Sequence, residues 1–129
     1  MTLLLLLLSS CGRASAPAPE LASTEVTAPR NIDVQTLAAD LEAGTVSALV
    51  DVRTPEEFSE GHIPGAVNIP VDELTQRVGE LENQGELYLV CRSGGRSARA
   101  AGELSDLGFR TVNVEGGTLA WIEAGHSVE

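Results

Sequence analysis

One segment of the chain has the residue types of a nucleophilic site: Cys91-Arg92-Ser93-Gly94-Gly95-Arg96-Ser97. The run from Glu86 to Val90 reads as a β-strand that ends at Cys91, and a helical pattern begins at about Ser97. A strand end, a glycine curl and a helix start together aim successive backbone N–H groups into one concavity, which suits an anion. Gly94 and Gly95 let the loop curl without Cβ clashes. The same field favours thiolate over thiol, and Arg92 and Arg96 reinforce it. Cys91 is therefore expected to be a nucleophile with a lowered pKa. A structural cysteine would need neither the two arginines nor the Gly-Gly curl.

Other polar residues have plainer expected roles. Asp51 and Arg53 follow a second apolar run, Ala48-Leu49-Val50, and are expected to give structural support. The carboxylate would take up loop amides and the guanidinium would pair with Glu56 or Glu57. His62, in Gly-His-Ile-Pro-Gly, invites assignment as a general base. A thiolate already favoured by its loop needs none, so a turn-stabilising hydrogen bond is the preferred role. His126 is expected in solvent, and Trp121 in the core or a pocket wall. Nineteen acidic residues oppose eight basic ones, all Arg, for a net charge of −11. That balance argues against nucleic acid as a partner and leaves Arg92, Arg96 and Arg99 as a local positive spot for small anions. No metal or organic cofactor is expected for this chemistry.

The elements that must position these residues alternate along the chain. Asp33 caps a predicted helix through Val34, Leu37 and Leu41 that Gly44 ends. A buried strand over Ala48–Val50 leads into Asp51-Val52, and Thr54-Pro55-Glu56-Glu57 has the form of a capping box opening a helix to about Glu60. Ala66 to Ile69 is a predicted strand, and Val71 to Leu81 a helix with Leu74, Val78 and Leu81 on one face. The Cys91 strand follows, then a helix from Ser97 to Leu107, a strand over Thr111–Val114 and a helix from Thr118 to Ala124. Strands alternating with helices imply an α/β domain with a largely parallel sheet.

The first 29 residues are built differently. Leu3 to Leu8 is an unbroken leucine run, far short of the roughly 20 residues a membrane span requires but close to a secretory apolar region. Leu8-Ser9-Ser10-Cys11 resembles a bacterial lipoprotein signal, although no Arg or Lys precedes the leucines. The resemblance implies a signal over residues 1–10, acylation of Cys11, and an exported protein held to the cell envelope by its lipid. Residues 11–29 are rich in Ala, Ser, Thr and Pro and read as a flexible tether. Fully extended, they reach on the order of 60 Å. The folded domain is expected over residues 30–129, with Cys11 and Cys91 serving separate purposes.

Four segments within it resemble the rhodanese family of sulfurtransferases: Asp51-Val52-Arg53-Thr54-Pro55-Glu56-Glu57-Phe58, Gly61-His62-Ile63-Pro64-Gly65-Ala66-Val67-Asn68-Ile69-Pro70, Val90 through Ser97, and Gly116-Gly117-Thr118-Leu119-Ala120-Trp121. The resemblance implies a doubly wound, mostly parallel sheet with helices on both faces, and a cysteine that carries sulfane sulfur as a persulfide. The Cys91 thiolate would attack the outer sulfur of a donor such as thiosulfate and release sulfite. Loop amides would then hold the persulfide anion until cyanide or another thiol removed the sulfur. Expected partners are small sulfur-containing anions and thiol acceptors, a sulfur-acceptor protein among them. A carrier without turnover and a cysteine phosphatase are the rivals. The related phosphatases place five residues between Cys and Arg, whereas four separate Cys91 from Arg96.

Overall fold

The computed structural model describes residues 27–129. Its strands are β1 (Arg30–Ile32), β2 (Ala48–Asp51), β3 (Val67–Asn68), β4 (Leu87–Val90) and β5 (Thr111–Val114). Its helices are α1 (Val34–Glu42), α2 (Pro55–Ser59), α3 (Gly95–Asp106) and α4 (Gly117–Glu123). The strands form one sheet in the order β1-β5-β4-β2-β3, and every pairing is parallel. A parallel sheet is covered on both faces, which is why β4 and β5 are buried along their whole length.

Strand alternation divides the core into two layers. Leu49, Tyr88, Val90, Val112 and Val114 pack with Val34 and Leu37 of α1 and Trp121 of α4. Val50, Leu87, Leu89 and Cys91 pack on the other face with Ala100, Ala101 and Leu104 of α3, and with Leu74 and Leu81. Each fully buried Leu or Val in these layers contributes roughly 1.5–3 kcal/mol relative to exposure. The expected doubly wound architecture, with helices on both faces, is the one observed.

Local chemistry sets most element boundaries. Asp33 accepts from the Thr36 amide at 2.8 Å to cap α1, and Thr54 and Glu57 form the expected capping box of α2. Most element ends fall within one residue of expectation, and three elements depart further. β1, read only as the start of the domain, is a strand because its residues pair with Val112–Val114 of β5. α3 begins at Gly95, two residues early, since Gly94 at φ 108° completes the turn into the helix. Val71 to Leu81 is not an α-helix but two 3₁₀ segments, Val71–Glu73 and Thr75–Glu80, interrupted at Arg77 (φ −110°, ψ 16°). Its β-branched residues and Gly79 make it a poor helix former, while burial of Leu74 and Leu81 holds the tighter path. The leucine run, Cys11 and most of the tether lie outside the described residues. Thr27, the first described residue, meets the domain, its carbonyl accepting from the Ser105 hydroxyl at 2.6 Å.

The sheet order places a switch point between β2 and β4. After β2 the chain moves outward to β3, and after β4 it moves the other way to β5. The two loops leaving the carboxyl ends of these neighbouring strands therefore diverge and frame a crevice, the usual site position in open α/β sheets.

Candidate active site

Cys91 occupies that crevice, one residue beyond β4 and 1% exposed. Its Sγ accepts from the Gly94 amide at 3.0 Å and lies 3.3 Å from the Ser97 hydroxyl. Burial pushes the thiol pKa up. Donation from the Ser97 hydroxyl and amide and from the amides of Gly94 and Ser93 outweighs that, and the thiol lies below its ordinary value. The donors come from the curl and from Ser97, and not from Arg92 or Arg96. Arg92, Ser93 and Gly95 are exposed, so the outer face of the loop meets solvent while its inner face meets sulfur.

The loop is shaped from behind by the start of α4. The Thr118 amide donates to the Cys91 carbonyl at 2.9 Å, and the Leu119 amide to the Arg92 carbonyl at 3.0 Å. The Thr118 hydroxyl adds a bond to the Cys91 carbonyl at 3.2 Å. These bonds turn the loop carbonyls away from the sulfur, which leaves amides facing it. Gly117 is at φ 59°, and a Cβ there would collide with the carbonyls of Cys91 and Arg92. Only glycine permits so close an approach of α4 to the loop.

Asp51 and Arg53 give the expected structural support, with a different pairing. Arg53 binds Asp51 itself through Nε and Nη2 at 2.8–3.0 Å, and its backbone amide donates to Oδ1 at 3.0 Å. Nη2 also donates to the Gly61 carbonyl at 2.8 Å, which ties down the turn before His62. Neither Glu56 nor Glu57 takes Arg53, because the buried carboxylate two residues away is the nearer partner. Glu57 instead holds Arg96 through both guanidinium Nη atoms at 2.8 and 2.9 Å. The Arg96 guanidinium holds the Glu57 carboxyl down to about 2, aided by the Thr54 amide.

The expected positive spot is therefore mostly neutralised. Arg96 is committed to Glu57, and Arg99 pairs with Glu103 at 3.1 Å. Arg92 is exposed and, among the described residues, enters none of the ion pairs. It lines a cleft of about 390 Å³ together with Thr118, Leu119, Ile122 and Glu57. His62 makes the expected turn bond, its Nδ1 donating to the Phe58 carbonyl at 3.0 Å while its ring stacks on Phe58. Trp121 is buried as expected. His126 is not in free solvent, because its ring packs 4.4 Å from that of Trp121.

Two site residues escaped the sequence reading. Glu57 carried a visible signal as a capping residue, but its bond to Arg96 spans 39 positions. Asn113 is 4% exposed and its Oδ1 lies 2.6 Å from the Ser97 hydroxyl. A polar residue inside the otherwise β-branched strand Thr111–Val114 was the available clue.

Comparisons with known proteins agree with this geometry. A family model described as the rhodanese-like domain matches residues 33–124. The chain is 36% identical over 95 residues to a protein of Allochromatium vinosum named sulfurtransferase, covering 73% of this chain and 89% of that one. Among solved structures, a rhodanese-related protein from Thermoplasma volcanium superposes with a TM-score of 0.71 at 37% identity, covering 78% of this chain and 97% of that one. A Rhodopseudomonas palustris protein described as a possible tyrosine phosphatase superposes with a TM-score of 0.74 at 26% identity, covering 78% and 85%. With the model spanning most of the chain and the cysteine loop at the sheet's switch point, the protein belongs to the rhodanese family.

Proposed function

We propose that this protein is a sulfurtransferase that carries sulfane sulfur on Cys91. The observation that carries the reading is the closure of the loop on its own sulfur, with Gly94 N at 3.0 Å and Ser97 Oγ at 3.3 Å from Sγ. The thiolate attacks the outer sulfur of a donor such as thiosulfate; an S–S bond forms as the donor's S–S bond breaks. The bonding pair of the broken bond leaves with sulfite. Cys91-S-S⁻ then carries the charge that the thiolate carried before, so the same donors stabilise it. A thiophilic acceptor, cyanide or a small or protein thiol, takes the terminal sulfur and restores the thiolate. The relatives' name, sulfurtransferase, supports the general activity. The nature of donor and acceptor rests on the site's chemistry.

Intact mass after incubation with thiosulfate tests this directly: one added sulfur, absent in Cys91→Ser, is the expected result. Sulfite release measured with and without a small thiol acceptor separates an enzyme from a carrier. Repeated release that depends on the acceptor marks turnover; a single equivalent in both conditions marks a carrier.

The phosphatase-like structural neighbour keeps a second reading in view. Two features oppose it here. The loop holds four residues between Cys91 and Arg96, and Arg96 is held by both Nη atoms on Glu57 rather than left to grip a phosphoryl group. Hydrolysis of an aryl phosphate at a rate matching sulfite release would overturn the sulfurtransferase reading.

We also propose that residues 1–10 act as a lipoprotein signal, that Cys11 is acylated, and that residues 11–29 tether the domain to the outer side of a bacterial membrane. Two acyl chains are needed for stable anchoring, since one gives only marginal binding. Fractionation of cells expressing the full chain and its Cys11→Ser variant checks it; equal recovery of both in the soluble fraction would rule the anchor out.

A further inference from the structure

A chain of side-chain hydrogen bonds joins the reactive sulfur to an exposed asparagine on the edge strand. Ser97 Oγ lies 3.3 Å from Cys91 Sγ, 3.2 Å from the Gly94 carbonyl oxygen and 2.6 Å from Asn113 Oδ1. Asn113 Nδ2 in turn donates to Asn31 Oδ1 at 3.1 Å. Ser97 is fully buried and Asn113 nearly so, whereas Asn31 is exposed. Asn113 sits opposite Asn31 in the β1–β5 register and opposite Leu89 in the β4–β5 register. It therefore reaches the α3 side of the sheet, where Cys91 also lies.

A serine hydroxyl has one proton, and its three neighbours here can all accept it. While Cys91 is a thiol, the shortest contact, to Asn113 Oδ1, takes the proton. That arrangement suits a Cys91 thiol, whose S–H can donate to a lone pair of Ser97 Oγ. It does not suit a thiolate or a persulfide anion, which needs the Ser97 proton for itself. If Ser97 turned its proton to sulfur while Asn113 stayed fixed, two oxygens would face each other at 2.6 Å with no proton between them, at the cost of an unmade buried hydrogen bond.

We propose that Asn113 is a positioning residue whose carboxamide turns over as Cys91 ionises, presenting Nδ2 to Ser97 Oγ and so holding the Ser97 proton on the sulfur. The oxygen and NH₂ of a primary amide have nearly the same shape, so a half turn exchanges acceptor for donor without changing volume. The turn carries Oδ1 to Asn31, which is free at the surface to present its own NH₂. The polarity of the whole chain reverses, the thiol proton leaves to solvent, and no bond between heavy atoms forms or breaks. The persulfide has the same negative charge and uses the same reversed chain. The role in catalysis rests on the sulfurtransferase reading, but ionisation of the thiol does not.

The test reads the thiol alone. In the full chain carrying Cys11→Ser, Cys91 is the only thiol, and the pH dependence of its alkylation by iodoacetamide gives a midpoint. The charged groups around Cys91 are Arg92, Arg96 with Glu57, and Asp51 with Arg53, all retained in every variant. Ser97→Ala is expected to raise the midpoint by about one pH unit, as loss of a hydrogen bond to a charged group implies. Asn113→Ala is expected to raise it by about half as much, and the double variant by no more than Ser97→Ala alone. An Asn113→Ala midpoint equal to the parent's, or shifts that add in the double variant, would overturn the proposal. If Asn113→Ala loses its native near-ultraviolet dichroism, the isosteric Asn113→Asp carries the test. Its carboxylate only accepts, so it raises the midpoint more with Ser97 present than in the Ser97→Ala background; equal shifts in both overturn the proposal. Absence of persulfide would sink the proposed function and leave these midpoints untouched.

Discussion

Two loops leave the sheet side by side, after β2 and after β4, with Asp51 and Val90 paired across the strands. Each enters a helix, and each must satisfy the free amides at that helix start. After β2 the side chains do so. Asp51 accepts from the Arg53 amide, Thr54 Oγ1 from the Glu57 amide, and Glu57 Oε1 from the Thr54 amide. After β4 no side chain caps α3; Gly94 stands at the cap, and its amide points at Cys91 Sγ. The first loop is closed by carboxylates and a hydroxyl. The second leaves its donors to a sulfur. What sets the second loop apart is that it lacks capping acceptors of its own.

The largest effect should come from removing that sulfur. Cys91→Ser is expected to keep the fold and reduce sulfite release to background, because a hydroxyl is too weak a nucleophile toward sulfane sulfur and loop amides cannot bring its pKa near neutrality. A folded variant retaining more than a few per cent of the activity would break the contrast between the loops.

Next comes the loop after β2. Arg53→Met leaves the Asp51 carboxylate buried without its partner, and urea unfolding should show a loss of about 3–5 kcal/mol. A loss under about 1 kcal/mol would mean that the β2 loop does not need its ion pair.

Glu57 and Arg96 tie the two loops together, and Glu57→Gln cuts that tie. The carboxyl lies at about 2 in the folded protein against 4.5 ordinarily. A depressed folded-state pKa means that the stabilisation is complete above about pH 4.5 and is lost as the pH falls towards 2. The pair is partly solvated, so on the order of 1 kcal/mol is expected. The urea midpoints of variant and parent should differ at pH 7 and converge near pH 2; a gap of the same size at both would remove the ion pair as its cause.

The smallest effect is expected at the exposed Arg92. Arg92→Ala should raise the KM for dianionic thiosulfate a few-fold more than that for a neutral donor, with unfolding unchanged. Equal changes for both donors would assign Arg92 to the shape of the loop instead of to its charge.

Much of the site was legible because its chemistry is local. Cys91, the two glycines and Ser97 lie within seven residues, and the caps at Asp33 and Thr54 act over three. Arg53 pairs with a residue only two positions away, but burial of the Asp51 carboxylate, which favours it over Glu56 and Glu57, is not visible in a sequence. The stretch Val71–Leu81 kept its buried leucines but not its helix, because periodicity reports which residues turn inward and not how tightly the backbone winds between them.

By itself, the sequence determined the alternation of strands and helices, and the cysteine at a strand end with the curl around it, because caps, turns and short apolar runs depend on neighbours a few residues apart. Only the tertiary structure decided that Glu57 takes Arg96, that Asn113 meets Ser97, and that α4 anchors the loop carbonyls. Those contacts join residues 39, 16 and 27 positions apart. They are set by which parallel strands lie side by side, and in a parallel sheet neighbouring strands are separated in sequence by whole crossover helices, so no local pattern records who faces whom.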